Sequence, residues 1–433
     1  MAFEKLKDAL DNKFDSWELY YERERVKKFE SNERQIYGIE FKEEEGIACR
    51  ALLEGKLFFG YTYDIPSAHE TILENAEQLL RFLPEDHERR FANASRTYPV
   101  LSTYDDDGLA IADEEKSEMV ITLESEIRSF DRRITAVRSC ELYETETFVG
   151  ITNSNGLECE ASRTLFSFSA YCVAKDGDEE ASWSDWSWSN HLRKINRGKF
   201  AKDIAGKTIS FLFGKPIPTG VYEGVLAPQA VCELMGILSE SFLAENLHKE
   251  KTRLKGKEGK TCFSDVLTII DSGMAGTDAF PFDGEGVPSR ENIVVRNGTF
   301  ETFLFDTYYA SKHGVSSTAN EVRPTLMELP KCGIRSAYVK TGSRDVTEEL
   351  TNGIIVEELM GAHTANPITG DFSLGAAGYI RKDGKSTPFQ GVIFSGNIFD
   401  VLNKVKEAGN DFRFYGTFGA PSLFVEDLKI SGT

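Results

Sequence analysis

Cys232 and Glu233 put a thiol and a carboxylate side by side in an otherwise apolar run, Cys232-Glu-Leu-Met-Gly-Ile237. A thiolate ligates soft metals, and a carboxylate beside a metal-bound water takes its proton. A lone cysteine in an apolar helix is more often a small buried hydrophobe, and Cys232 is read that way, with soft-metal binding as its other use. The six histidines, His69, His87, His191, His248, His313 and His363, include no close pair, so a Ser–His or Cys–His nucleophile would have to be assembled by the fold. Asp283-Gly-Glu-Gly286 offers either a cleft-facing acid or a tight turn. The run Asp105-Asp-Asp-Gly108 lacks the spacing of a calcium loop and reads as a solvated loop. Gly256-Lys-Glu-Gly-Lys-Thr261 ends like a phosphate loop, but Leu254 stands where the first glycine is required, so the backbone cradle is incomplete.

The elements that must position these groups follow from hydrophobic period and turn residues. Residues 2–12 read as an amphipathic helix, and 17–26 and 35–41 as strands. A hairpin over 47–63 turns at Glu54-Gly55, and a helix over 67–82 stops at Pro84. After a polar stretch, 90–113, come a helix over 114–130, strands over 134–151 and 156–175, and a helix over 190–203. Gly214, Pro216 and Pro218 mark a boundary. The expected class is α+β in two domains, each a largely antiparallel sheet with helices: 1–205, a linker at 206–218, and a β-rich 219–433. The second domain opens with a strand and a helix over 228–247 that carries Cys232 and Glu233. Asn297-Gly298 predicts a hairpin between 293–295 and 299–304, and 307–312 a short helix. A large barrel-like antiparallel sheet is expected from the remaining strands. Trp183-Ser-Asp-Trp-Ser187 matches a cytokine-receptor motif by letters alone, since that motif belongs to secreted, disulfide-bonded sandwiches.

From about residue 205 onward the chain resembles the TldD/PmbA (TldD/TldE) family, long labelled modulators of DNA gyrase and understood as two-subunit metallopeptidases. The segments that carry the resemblance are Gly220-Val-Tyr-Glu-Gly-Val-Leu-Ala-Pro228, Pro281-Phe-Asp-Gly-Glu-Gly-Val-Pro288, the run 297–304, Gly353-Ile-Ile-Val-Glu-Glu-Leu-Met-Gly361, Asn366-Pro-Ile-Thr-Gly370 with its continuation to Gly378, Ser395-Gly-Asn397 and Ala420-Pro-Ser-Leu423. The N-terminal half agrees more loosely, at Gly46-Ile-Ala-Cys-Arg50 and Asn153-Ser-Asn-Gly-Leu157. In the family's catalytic subunit a helix carries His-Glu-x-x-x-His. Here those positions hold Cys232, Glu233 and Ile237, and isoleucine has no lone pair to give. The third family ligand is a cysteine near the C-terminus, whereas the last cysteine of this chain is Cys332 and 412–420 contains none. A catalytic zinc needs about three protein ligands and an open position.

The resemblance therefore implies the PmbA/TldE branch, with no catalytic, cofactor or metal residues of its own, zinc in a TldD-like partner, and a peptide substrate. Because positions i and i+5 lie about 140° apart on a helix, they can share a metal only if the helix is locally distorted or the third ligand sits between them, and a bulge or break is expected near Gly236. The resemblance also places Gly361-Ala-His363, and with it His363, near the active-site region.

Composition bounds the alternatives. With 433 residues, 40% hydrophobic and 28% charged, the chain reads as an ordinary soluble globular protein. It has no long apolar run, and its start reads as a helix rather than a signal peptide, so a cytoplasmic, non-membrane protein is expected. Seven scattered cysteines without a Cys-x-x-Cys pair argue for reduced thiols. A net charge of −20, from 50 basic and 70 acidic residues, repels a phosphate backbone, and the one basic cluster, 248–260, is interrupted by glutamates. The leading function is a subunit assisting a zinc-bearing TldD-like chain as a heterodimer, with a homodimer when alone. Two others remain: a non-enzymatic regulatory or binding protein of the gyrase-modulator type, and a metal-independent hydrolase using Cys232 or Glu233.

Overall fold

The computed structural model describes residues 2–433. Strands β1 (Ser16–Asn32) and β2 (Gln35–Leu53) form one long antiparallel hairpin, and β3 (Lys56–Thr62), β4 (Ile134–Asn153), β5 (Glu158–Asp176) and β6 (Glu179–Ser189) complete a sheet of order β3-β2-β1-β4-β5-β6. The β2–β3 turn falls at Glu54 and Gly55, whose φ angles of 52° and 75° are those of a tight two-residue hairpin. Helices α1 (Ala2–Lys13) and α2 (Ala68–Leu79) cover one end of the sheet, where Leu6, Leu10, Ile72 and Ala76 pack with Leu19 and Cys49. The acidic run is not a solvated loop: Asp105 accepts from Gly108 N at 3.0 Å and caps a one-turn helix, α3 (Asp106–Leu109).

Helices α4 (Asp113–Phe130) and α5 (Arg197–Phe211) cover the other end, with Val120, Leu123 and Ile204 against Phe29, Leu142 and Phe168. The expected helix over 190–203 is thus replaced by a single 3₁₀ turn and α5, which runs through the first residues of the expected 206–218 linker. The motif around Trp183 lies on β6, where that ring stacks on Phe211 at 5.0 Å.

In the C-terminal half, β7 (Gly220–Leu226) pairs with Gly353–Met360, which pairs in turn with Asp371–Lys382 and Lys385–Asn397. Leu423–Ser431 pairs with β7 on one side and with Lys385–Asn397 on the other, closing a five-strand barrel. All these pairings are antiparallel except β7 with Gly353–Met360. A second, seven-stranded sheet includes Ile269–Ser272, Glu291–Arg296 and the hairpin Arg413–Tyr415 with Phe418–Ala420. The Asn297-Gly298 turn joins Glu291–Arg296 to Thr299–Phe300 as its residues predict, with φ of 46° and 77°.

The free face of the N-terminal sheet packs on this half through Tyr20, Ala48 and Ile151 against Phe280, Phe282 and Leu326. A buried ion network reinforces the contact. The Arg50 guanidinium donates to both Glu18 oxygens at 3.0 and 2.8 Å, to Glu321 at 2.8 Å and to Glu285 at 3.1 Å, and Arg323 also pairs with Glu18. Burial opposes the charge on Arg50, yet the three glutamates outweigh it and hold the guanidinium protonated. Burial and the neighbouring Glu285 raise the Glu321 carboxyl well above its usual range.

Candidate functional site

Helix α6 (Pro228–Ser239) lies between the barrel strand Gly353–Met360 and the hairpin 413–420. It is apolar on nearly every side, as a helix enclosed by two layers must be. Pro228 opens it at the first turn, where a missing N–H costs nothing, and Ala227 N donates to Val356 O at 2.9 Å. The helix ends sooner than the expected 247: a 3₁₀ turn follows at Glu240–Phe242, then a short helix, Ala244–His248.

The helix is regular through Gly236, which corrects the expected bulge. At 100° per residue, Cys232, Gly236, Glu233 and Ile237 fan over an arc of about 140°, and all four line one cavity of about 370 Å³. A Cβ on Gly236 would meet only Phe418, at 3.7 Å, so the glycine leaves the floor of the cavity open. Positions five apart can therefore face a common space without distortion.

Tyr415 and Phe418 form the opposite wall, and Ala362, His363, Ala365 and Pro367 the rim. The hairpin 413–420, where the resemblance places the third ligand, thus meets the two helical positions in space. Ile237 is 6% exposed and Cys232 4%. Burial pushes the Cys232 thiol up to about 12, which leaves it neutral and unreactive near neutral pH. Burial also raises the Glu233 carboxyl, and Glu233 has neither a hydrogen bond nor an ion pair to another side chain.

These residues do not fit a zinc ion. The cavity offers one thiol, one carboxylate and the exposed imidazole of His363, and among the described residues no three His, Cys, Asp or Glu side chains converge closely enough to share a metal. Nor does His363 hydrogen-bond to Cys232 or Glu233, so this cavity assembles no activated nucleophile; the Ser–His pair that the fold does bring together, Ser102 Oγ and His191 Nε2 at 3.3 Å, lies elsewhere.

Asp283 lies elsewhere. It is 3% exposed, its Oδ1 accepts from Glu285 N and Val287 N at 2.9 and 3.0 Å, and its Oδ2 accepts from Glu321 N at 3.1 Å. Of the two uses open to Asp283-Gly-Glu-Gly286, this is the tight turn, bordering a separate cavity of about 350 Å³ between the halves.

Several partners were not legible in the sequence. Tyr415 and Phe418 stood out only as members of a cysteine-free stretch. Glu358, half-buried near Glu233 on Gly353–Met360, follows a β-bulge that shifts the strand's register after Val356. His248 and His313, distant in sequence, bring their rings within 5.8 Å, and burial followed by His248 lowers the pKa of His313.

Residues 219–432 match the description "PmbA/TldA metallopeptidase C-terminal domain" and 106–212 match "PmbA/TldA metallopeptidase central domain". An uncharacterised protein of Methanocaldococcus jannaschii is 29% identical over 384 residues, 87% of each chain. The Metalloprotease PmbA of Escherichia coli O157:H7 is 24% identical over 330 residues, 74% of this chain and 71% of that one. The crystal structure of TldE from Thermococcus kodakarensis superposes with a TM-score of 0.90 over 100% of both chains at 22% identity, a likeness of fold. Among the described residues no helix is long and apolar enough to cross a membrane.

Proposed function

The chain belongs to the PmbA/TldD metallopeptidase family, and we propose that within it this chain is a PmbA/TldE-like subunit that assists a zinc-bearing TldD-like partner in cleaving short or unfolded peptides. The observation that carries this reading is Ile237. It occupies the far edge of the arc on α6, facing the cavity with a side chain that cannot donate to a metal. The hairpin 413–420 supplies Tyr415 and Phe418 at the place of the third ligand. The zinc that lowers the pKa of the attacking water belongs, on this reading, to the partner, and this chain contributes binding surface as one half of a heterodimer. The seven free thiols accord with work in the reducing cytoplasm. A metal-free hydrolase is less well supported, because the Cys232 thiol is neutral and no histidine hydrogen-bonds to it.

Peptide hydrolysis by the lone chain, by a TldD-like chain carrying intact ligands, and by their mixture tests the proposal. The mixture is expected to exceed the sum of the separate chains, with all activity abolished by chelator. A partner equally active without this chain would overturn it.

A further inference from the structure

We propose that the cavity over Gly236 binds the cationic side chain of a peptide arginine or lysine, seated against Glu233 with Glu358 behind it. This deepens the reading above, and rests on it, by naming the peptide chemistry that the subunit without its own metal ligands would take.

The charges around the cavity carry the argument. Glu233 lines the cavity with His363 on its rim, and outside the lining lie three further carboxylates, Glu358, Glu357 and Asp185, and two bases, Lys207 and Arg413. Both bases are committed elsewhere: Lys207 Nζ lies 3.1 Å from Glu357, and Arg413 Nη2 lies 2.9 Å from Asp185. Glu233 and Glu358 are left with no ion pair and no side-chain hydrogen bond. Burial raises both carboxyls; at Glu358 Lys207 offsets part of the rise and Glu233 adds to it. Where a metal is held by neighbouring ligands, its charge would match such a carboxylate. With Ile237 and a neutral Cys232 beside Glu233, the negative charge instead awaits a cation from outside.

The walls select the kind of cation. The Phe418 ring lines the cavity with an aromatic surface suited to a guanidinium or ammonium, the Tyr415 ring beside it already carries the Arg413 guanidinium at 4.5 Å, and Ile237, Ala362 and Ala365 offer apolar surface to an alkyl stem. Lysine and arginine combine that stem with that head, and the cavity of about 370 Å³ is at the small-ligand end of binding pockets. A bare metal ion would find too few donors.

The test is calorimetric titration of the full chain, without partner, with N-acetylated and C-amidated Gly-Arg-Gly, its lysine counterpart, and the citrulline analogue that keeps the shape and loses the charge. Blocking both ends removes the terminal charges as competing ligands. The basic peptides are expected to bind at least about tenfold more tightly than the citrulline one, with the preference shrinking as salt rises. Glu233→Gln, nearly isosteric and at a half-buried position, is expected to erase the preference, and Glu358→Gln to halve it or more. Glu328→Gln, on the far loop, should leave it unchanged, and thermal unfolding would verify that each variant is folded. Equal binding of arginine and citrulline peptides, or an unchanged preference in Glu233→Gln, would overturn the proposal. That failure would leave partner-dependent hydrolysis standing, whereas loss of partner dependence with charge selectivity intact would remove the subunit reading alone.

Discussion

Asp306 shows how strongly burial controls single groups in this fold. Its Oδ1 accepts from Tyr309 N at 2.7 Å and caps the helix Thr307–His313, while burial, with Glu285 next, pushes its carboxyl from 3.8 to about 7. Between those values the folded chain holds a proton that the unfolded chain has released, so stability falls as pH rises through the window and levels off above about 7. Asp306→Asn keeps a capping oxygen and removes the titration. Denaturant unfolding between pH 4.5 and 7.5 should therefore show a shallower loss of stability in the variant than in the native chain; equal slopes would contradict the assignment. Little of this was visible in sequence, because the groups acting on Asp306 come from a distant turn. By contrast, Cys232, Glu233 and Ile237 were legible as a set, since they lie in one short helix and family segments on both sides fix their positions.

Elements were legible where hydrophobic period was strong and failed where charge took over. β1 was expected over 17–26, yet it runs to Asn32, because beyond the apolar start it is held by cross-strand ion pairs such as Arg25–Glu43 at 3.2 Å and Lys28–Glu141 at 2.9 Å. Such pairs leave no alternating apolar pattern to read. The bulge expected near Gly236 also failed, for a geometric reason: a glycine inside the arc lets two flanking positions face one cavity. The barrel depends on other glycines. A Cβ at Gly378 would overlap the Ile355 carbonyl of the adjacent strand, next to the bulge after Val356. Gly378→Ala should cost about 1–3 kcal/mol in chemical denaturation. Gly38→Ala in β2, where a Cβ meets nothing within 4 Å, should cost less than about 0.5 kcal/mol. Similar losses at the two sites would argue against the barrel packing.

At the scale of the molecule, the N-terminal sheet and the C-terminal half are joined by apolar packing and by Arg50 among Glu18, Glu285 and Glu321. Glu18 and Arg50 come from β1 and β2 and the other two glutamates from segments more than 200 residues away, so no local motif announces the network. Arg50→Ala strands the buried Glu285 and Glu321, leaving Glu18 with Arg323 alone, and should destabilise the chain by about 3–5 kcal/mol, measured by unfolding at neutral pH. The loss should shrink in acid, where Glu321, its carboxyl raised by burial, takes up a proton. This junction fixes how the sheet sits relative to the cavity over Gly236, and hence what surface a partner would meet. On the proposed reading the cavity does not hold zinc, and the metal belongs to a TldD-like partner. This reading is tested most directly by counting zinc in the purified chain alone and in its complex with a TldD-like partner, after dialysis against metal-free buffer. The expected result is no bound zinc in the lone chain and one per heterodimer; stoichiometric zinc retained by this chain alone would contradict the account.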